Sequence, residues 1–226
     1  MIARRNWLAA GLALPMAAWA QDAPLLAAAR AGDVAALRRL LDAGAPVDAR
    51  DARGRTALLL ATHADQVEAA RLLIGRGADV NARDDIRDSP FLYAGAEGRL
   101  EILKLTLAAG ADLASTNRYG GTALIPAAHH GHVETVRELL KTKIAIDHVN
   151  RLGWTALLEA IILGDGGRAH TEIVRLLVGA GANVNLGDGQ GVTPLAHARA
   201  RGQREIVAIL ERAGARAARV PTSSAS

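Results

Sequence analysis

At 226 residues the chain has enough sequence for one or two domains and a sizeable core. Half of it is apolar, mostly Ala and Leu, with 3% aromatics and 23 glycines; this disfavours a β-sandwich or barrel built on Tyr, Phe and Val and favours short helices joined by Gly turns. The absence of cysteine removes disulfide frameworks, thiolate nucleophiles and sulfur-ligated zinc or iron, and the formal charge of +4 is too near balance for the concentrated basic footprint of a nucleic-acid binder.

Residues 1–20 read as an export signal. Met1 to Trp7 carries Arg4 and Arg5, Leu8 to Ala18 is apolar, and Ala18-Trp19-Ala20 places small residues where a signal peptidase reads. Cleavage is expected after Ala20, releasing a mature chain from Gln21 into the periplasm. Losing Arg4 and Arg5 leaves 25 basic against 23 acidic residues. The apolar run falls short of the roughly 20 residues that span a bilayer, so no membrane span is expected after cleavage; an uncleaved anchor is the alternative. Ala3-Arg4-Arg5-Asn6-Trp7-Leu8 resembles a twin-arginine motif, with Ala in place of Ser or Thr and Trp in place of Phe. A general signal with a basic start is the other route.

From residue 23 the chain repeats itself. Thr56-Ala57-Leu58, Ser89-Pro90-Phe91, Thr122-Ala123-Leu124 and Thr155-Ala156-Leu157 recur every 33 residues, Ala23-Pro24-Leu25 lies 33 earlier, and Thr193-Pro194-Leu195 comes 38 later. The extra five fall within Gly164 to His170. Counting Thr as position one, Gly stands at position ten as Gly32, Gly98, Gly131, Gly164 and Gly202, with Asp65 the exception. Glu68, Glu101, Glu134, Glu172 and Glu205 keep the same register, as do the pairs Gly44-Ala45, Gly77-Ala78, Gly110-Ala111, Gly181-Ala182 and Gly214-Ala215. Asp51, Asp84, Asn117, Asn150 and Asp188 open the connecting turns.

Each mark has a physical reading. Thr offers a hydroxyl to orphan amides at a helix start, Pro after it is pre-set for the first turn, and Gly at position ten ends the first helix with a positive φ. Ala28-Ala29, Ala61, Ala94-Gly95, Ala127-Ala128 and Ala160 let neighbouring helix pairs approach, while Leu72, Leu73, Leu139, Leu140, Leu176 and Leu177 fill the seam. The pattern is similar to the ankyrin repeat, seen most closely in His132-Val133-Glu134-Thr135-Val136 and Gly77-Ala78-Asp79-Val80-Asn81. The resemblance runs from residue 23 to about 215 and departs most at Lys143-Ile144, where Gly-Ala is expected. It implies an all-α solenoid of six helix-turn-helix units with β-hairpin-like connecting turns, at 23–55, 56–88, 89–121, 122–154, 155–192 and 193–219, followed by a disordered tail at 220–226. Arg199, Arg201, Gln203, Arg204, Glu211 and Arg212 make the last unit polar, as a terminal cap must be.

The resemblance also implies that partners are bound by the hairpin tips and the exposed part of each first helix. The tips supply Arg53, Arg55, Asp85, Ile86, Asp88, Arg118, Tyr119, Arg151, Leu152, Trp154, Gln190 and Val192; the helices supply Arg30, His63, Glu97, His129, His130, Ile162, Leu163 and Arg201. Among these, Arg53, Arg55, Asp85, Asp88, Arg118, Tyr119, His129, His130, Arg151, Leu152 and Trp154 are the candidate partner-binding residues. Arg118, Tyr119, Arg151, Leu152 and Trp154 gather the residue types that dominate binding hot spots. Trp154, the mature chain's only tryptophan, is either exposed at its tip or folded back over the next unit.

His129-His130-Gly131-His132 is the one sequence that invites a metal. His132 stands where the ankyrin pattern uses His structurally, and two adjacent histidines point different ways on a helix, so no metal or other cofactor is expected. The serines are Ser89, Ser115 and three in the tail, with no elbow for a nucleophile; Gly164-Asp165-Gly166-Gly167 lacks the Lys and preceding strand of a phosphate loop and the alternating carboxylates of a calcium loop, and reads as a flexible insertion. The expectation is a monomeric, non-catalytic periplasmic adaptor that holds an unidentified protein partner on its concave face. The competing class is a small-ligand, metal or haem carrier working through His129 and His130.

Overall fold

The structure is a computed structural model that describes residues 16–217. Most of the expected signal, residues 1–15, and the tail at 220–226 lie outside the described residues. Six helix-turn-helix pairs follow one another: α1 Met16–Ala31 with α2 Val34–Asp42, α3 Ala57–His63 with α4 Val67–Gly75, α5 Pro90–Ala96 with α6 Leu100–Ala108, α7 Leu124–His129 with α8 Val133–Leu139, α9 Ala156–Ile162 with α10 Arg168–Gly179, and α11 Pro194–Ala200 with α12 Arg204–Arg212. First helices pack on first helices and second on second along the stack, giving two helical layers with the core between them. Among the described residues no strand forms, and one isolated bridge pairs Arg50 with Thr56. No described helix is long and apolar enough to cross a membrane. Helix α1 runs through the Ala20–Gln21 bond.

The repeated marks do the work their chemistry suggests. The hydroxyls of Thr56, Ser89, Thr155 and Thr193 accept the backbone N–H groups of Leu59, Leu92, Leu158 and Ala196 at 3.2–3.4 Å, caps worth about 1 kcal/mol each. Thr122 departs from this. The N–H of Ile125 bonds instead to the carbonyl of Thr122 at 3.2 Å, so α7 starts late, at Leu124, and the buried Thr122 hydroxyl has no partner among the described residues.

At position ten, Gly32, Gly98, Gly131 and Gly202 turn the chain with φ between 66° and 77°, and Asp65 adopts the same left-handed geometry at φ 55°. Gly164 does not. The insertion moves the left-handed residue to Gly166, at φ 70°. In the fourth unit Lys143 replaces the second-helix glycine, and Thr142 supplies the missing termination: its hydroxyl donates to the carbonyl of Leu139 at 2.6 Å and accepts from the N–H of Ile144 at 3.2 Å.

The seam residues sort by depth. Leu73, Leu139 and Leu177 are fully enclosed, whereas Leu72, Leu140 and Leu176 are partly buried against them. The small residues sit where backbones meet; a Cβ on Gly95 would lie 2.8 Å from the Cβ of Ala123. The last unit is fastened through its polar residues, with Arg201 and Gln203 donating to the carbonyls of Ile162 and Ile161 and Arg199 paired with Glu211.

A ladder of hydrogen bonds runs along the turns after the second helices. Asp48 accepts the N–H of Asp79, Asn81 that of Asp112, Asp147 that of Asn183, and Asn185 that of Arg216, at 2.7–3.1 Å. The corresponding residue between the third and fourth units is Ala114, which has no side-chain acceptor.

The insertion, expected as a flexible loop, is hydrogen-bonded to the stack. It lengthens α10 to 12 residues, Asp165 accepts the N–H of Gly167 at 2.8 Å, and His170 is 2.8 Å from both Asp165 Oδ1 and the carbonyl of His129. The two ring nitrogens thus reach from the insertion to the end of α7, and His170 ties one to the other.

Candidate functional site

The hairpin tips are fixed by one recurring arrangement. Oδ1 of Asp51, Asp84, Asn117, Asn150 and Asp188 each accepts two backbone N–H groups, two and four residues ahead, at 2.8–3.0 Å. Short Asx side chains reach their own following backbone in this way, which is why Asp and Asn open these turns. Successive tips also bond to one another: the N–H of Asp85 donates to the carbonyl of Arg53 at 3.1 Å, and that of Arg151 to Tyr119 at 3.0 Å.

Between the tips and the first helices of units two to five lies a cavity of about 570 Å³. Its rim carries Ile86, Tyr119, Leu152 and Leu163, large apolar side chains that are 43–56% exposed. Arg118 lies at the same rim, its guanidinium 4.8 Å from the centre of the Tyr119 ring and 3.9 Å from the Asp88 carboxylate. The inner wall is formed by His63, Tyr93, Glu97, His129, His130 and Glu159. The rings of His63 and Tyr93 pack at 4.0 Å, and those of His129 and His130 at 4.6 Å.

Glu159 is the most enclosed charged group in this wall, 5% exposed. The Asn150 side-chain amide donates to its Oε1 at 2.8 Å, while Oε2 is 3.5 Å from His129 Nδ1. Burial pushes the Glu159 carboxyl up from the ordinary range, against the opposing pull of the Asn150 hydrogen bond. Burial, reinforced by Asp84, likewise raises Asp88. Burial lowers His63 and His129, so both rings favour the neutral form at neutral pH. His132 is lowered for the same reason and packs on the Gly98 turn of the preceding unit, the structural place expected for it.

Of the residues expected to bind, Asp88, Arg118, Tyr119, His129, His130 and Leu152 come together in the cavity lining, and the rest stand outside it. Arg55 is spent on Asp51 at 2.6 Å. Arg151 directs its guanidinium back to the carbonyl of Arg118 at 3.0 Å, bracing one tip on the next. Arg53 and Asp85 are exposed on tips towards the start of the stack. Trp154 is partly buried rather than presented at a tip: it lies on the returning arm of its turn, where its N–H and carbonyl are both bonded to Asn150.

Tyr93 and Glu159 are the wall residues that sequence reasoning missed. Both occupy position five of a first helix, one turn before the surface positions that were identified, and so share their face. The histidine pair gathers no metal set. His130 Nδ1 donates to the carbonyl of Ala96 at 2.7 Å, and among the described residues no group of three or more His, Cys, Asp or Glu is placed to hold a metal ion.

The family described as ankyrin repeats (3 copies) matches residues 10–84 and 91–188. Among solved structures, the chain is similar to an ankyrin repeat domain from Acinetobacter baumannii AYE, with 58% identity and a TM-score of 0.83 over 85% of this chain and 98% of that one. It is also similar to EF0377, an ankyrin repeat protein, with 43% identity and a TM-score of 0.82 over 84% and 98% of the two chains. A curated relative, the putative ankyrin repeat protein YahD of Escherichia coli (strain K12), is 51% identical over 57 residues, which are 25% of this chain and 28% of that protein's length. With the repeat marks, the two-layer stack and these matches in agreement, the chain belongs to the ankyrin-repeat family.

Proposed function

We propose that this protein is a non-catalytic adaptor, exported to the periplasm, which holds a protein partner in the concave cavity of units two to five. Ankyrin repeats are generally protein–protein interaction modules and typically non-catalytic, and the specific reading rests on one observation. Tyr119 and Leu152, at 54% and 56% exposure, stand with Ile86 and Leu163 around a single cavity and are not used by the stack's own seam. Large apolar side chains grouped at the rim of a concavity mark an interaction surface, and Tyr and Arg are enriched among the residues that carry binding energy. Export is supported by Arg4, Arg5, the apolar run after them and Ala18-Trp19-Ala20.

The test is affinity purification of the tagged full chain, followed by mass spectrometry of what it retains. Tyr119→Ala with Leu152→Ala should abolish the partner while leaving the thermal unfolding midpoint unchanged, because both side chains are exposed. A partner retained by this variant sinks the concave reading. Mass measurement of the protein recovered from periplasm should give a chain starting at Gln21; an intact Met1 in the cytoplasm refutes the export.

A further inference from the structure

Resting on that reading of the concave face, we infer that the polypeptide segment seated in the cavity presents an arginine or lysine side chain, flanked by apolar residues, to the carboxylates of Asp88, Glu97 and Glu159. Three acids line this cavity against a single arginine, Arg118, which sits at the rim. Of the other ionisable lining groups, burial holds His63 and His129 towards the neutral form and keeps Tyr93 protonated, and His130 spends Nδ1 on the carbonyl of Ala96.

The three carboxylates are also poorly paired compared with others in the stack. Asp51 has Arg55 at 2.6 Å and Asp188 has His197 at 2.8 Å. Among the described residues of the cavity, Asp88 has only Arg118 at 3.9 Å, Glu159 has His129 at 3.5 Å, and Glu97 has no ion pair. Acids in a concave, partly desolvated wall focus a negative potential that acts across the cavity. Burial without a close counter-charge is costly for the carboxylates of Asp88 and Glu159, and an arriving cation relieves that cost, while the exposed Glu97 adds its charge at the cavity's edge.

The shape selects among cations. No described group of acids and histidines is placed to hold a metal ion, so the complement is an organic cation. Ile86, Tyr119, Leu152 and Leu163 at the rim match the aliphatic stem of Lys or Arg and the apolar residues beside it. An acidic or phosphorylated segment meets repulsion from the same wall.

The probe is a phage-displayed library of random peptides selected on the full-length protein, with the enriched peptide then synthesised with citrulline in place of its arginine. Enriched sequences should carry Arg or Lys beside apolar residues. Citrulline, which keeps the shape and removes the charge, should weaken binding by about tenfold or more, as should Glu159→Gln in the protein. Glu97→Gln, at an exposed site where folding is not at stake, should weaken it several-fold. Binding lost in Tyr119→Ala/Leu152→Ala but indifferent to citrulline overturns this inference and leaves the concave site standing; binding indifferent to both overturns both. If selection enriches nothing, N-acetylarginine amide and N-acetylcitrulline amide serve as minimal probes in an NMR titration. Resonances of Tyr93 and His129 that move for arginine and not for citrulline support the inference, and equal responses, or none, overturn it.

Discussion

The side-chain amide of Asn150 donates to Glu159 at 2.8 Å, and Asp188 meets His197 at 2.8 Å in the next unit: the same pair of positions, nine residues apart, with the polarity exchanged. In both, the residue that opens the turn uses Oδ1 for the backbone and its second side-chain atom for position five of the following helix. Asp is competent to open the turn, as Asp51, Asp84 and Asp188 show. The amide is required in the fourth turn because it faces an acid.

Asn150→Asp should therefore keep the turn but oppose two buried carboxylates, destabilising the protein at pH 7 by about 1–3 kcal/mol. Shared repulsion raises one of the two carboxyl pKa values, so the deficit should shrink as the pH falls towards 5. Adding Glu159→Gln reverses the direction of the hydrogen bond and should recover most of the loss. Urea unfolding of the single and double variants at both pH values checks this.

Ala114 interrupts the ladder formed by Asp48, Asn81, Asp147 and Asn185. Ala114→Asn places an acceptor towards the N–H of Ala145, the counterpart of Asp112. The site is exposed, so the change should be tolerated and stabilise by about 0.5–1.5 kcal/mol. An unchanged urea midpoint would show that the missing rung costs nothing.

Two glycine substitutions should move stability in opposite directions. Gly95→Ala drives a methyl to 2.8 Å from the Cβ of Ala123 and should cost about 1–3 kcal/mol through forced separation of α5 and α7. Gly75→Ala, at the end of α4 with nothing within 4 Å of the new Cβ, should stabilise by about 0.4–1 kcal/mol by restricting the unfolded chain. Thermal unfolding of the two variants, compared directly, separates steric cost from backbone propensity.

His63 and His129 are both lowered by burial. With folded-state pKa values below the unfolded 6.5, the unfolded chain takes up protons first, so stability present at neutral pH is lost as the pH falls below about 6.5. The double variant His63→Gln/His129→Gln should lose less stability than the wild type between pH 7 and pH 5.5. Equal losses in denaturant melts would place the acid sensitivity elsewhere.

What could be read from the sequence was what the backbone demands at every repeat. Thr56, Ser89, Thr155 and Thr193 cap helices because their hydroxyls act within three residues, and Asp51 or Asn117 opens a turn by bonding to residues two and four ahead; such local rules survive in any neighbourhood. The cavity was harder to read. Arg118 and Arg151 stand at equivalent positions on consecutive tips, yet one faces the cavity and the other supports its neighbour, a difference settled by contacts between units. Glu159 was passed over because position five is Leu60, Tyr93, Pro126, Glu159 and His197 in successive units and so carries no repeating mark. The Gly164 segment looked loose because its anchor, the carbonyl of His129, is 41 residues away from His170.

The half-buried position of Trp154 gives the protein an optical reporter. The chain has three tryptophans, and Trp7 and Trp19 precede residue 21, so a chain beginning at Gln21 emits from Trp154 alone. Trp154 itself stands at the end of the fourth turn, directly before Thr155 and the fifth unit. Fluorescence then follows the loosening of that one junction, while circular dichroism follows the helices of the whole array. If the two signals separate during denaturation, the array melts in sections rather than as one cooperative body.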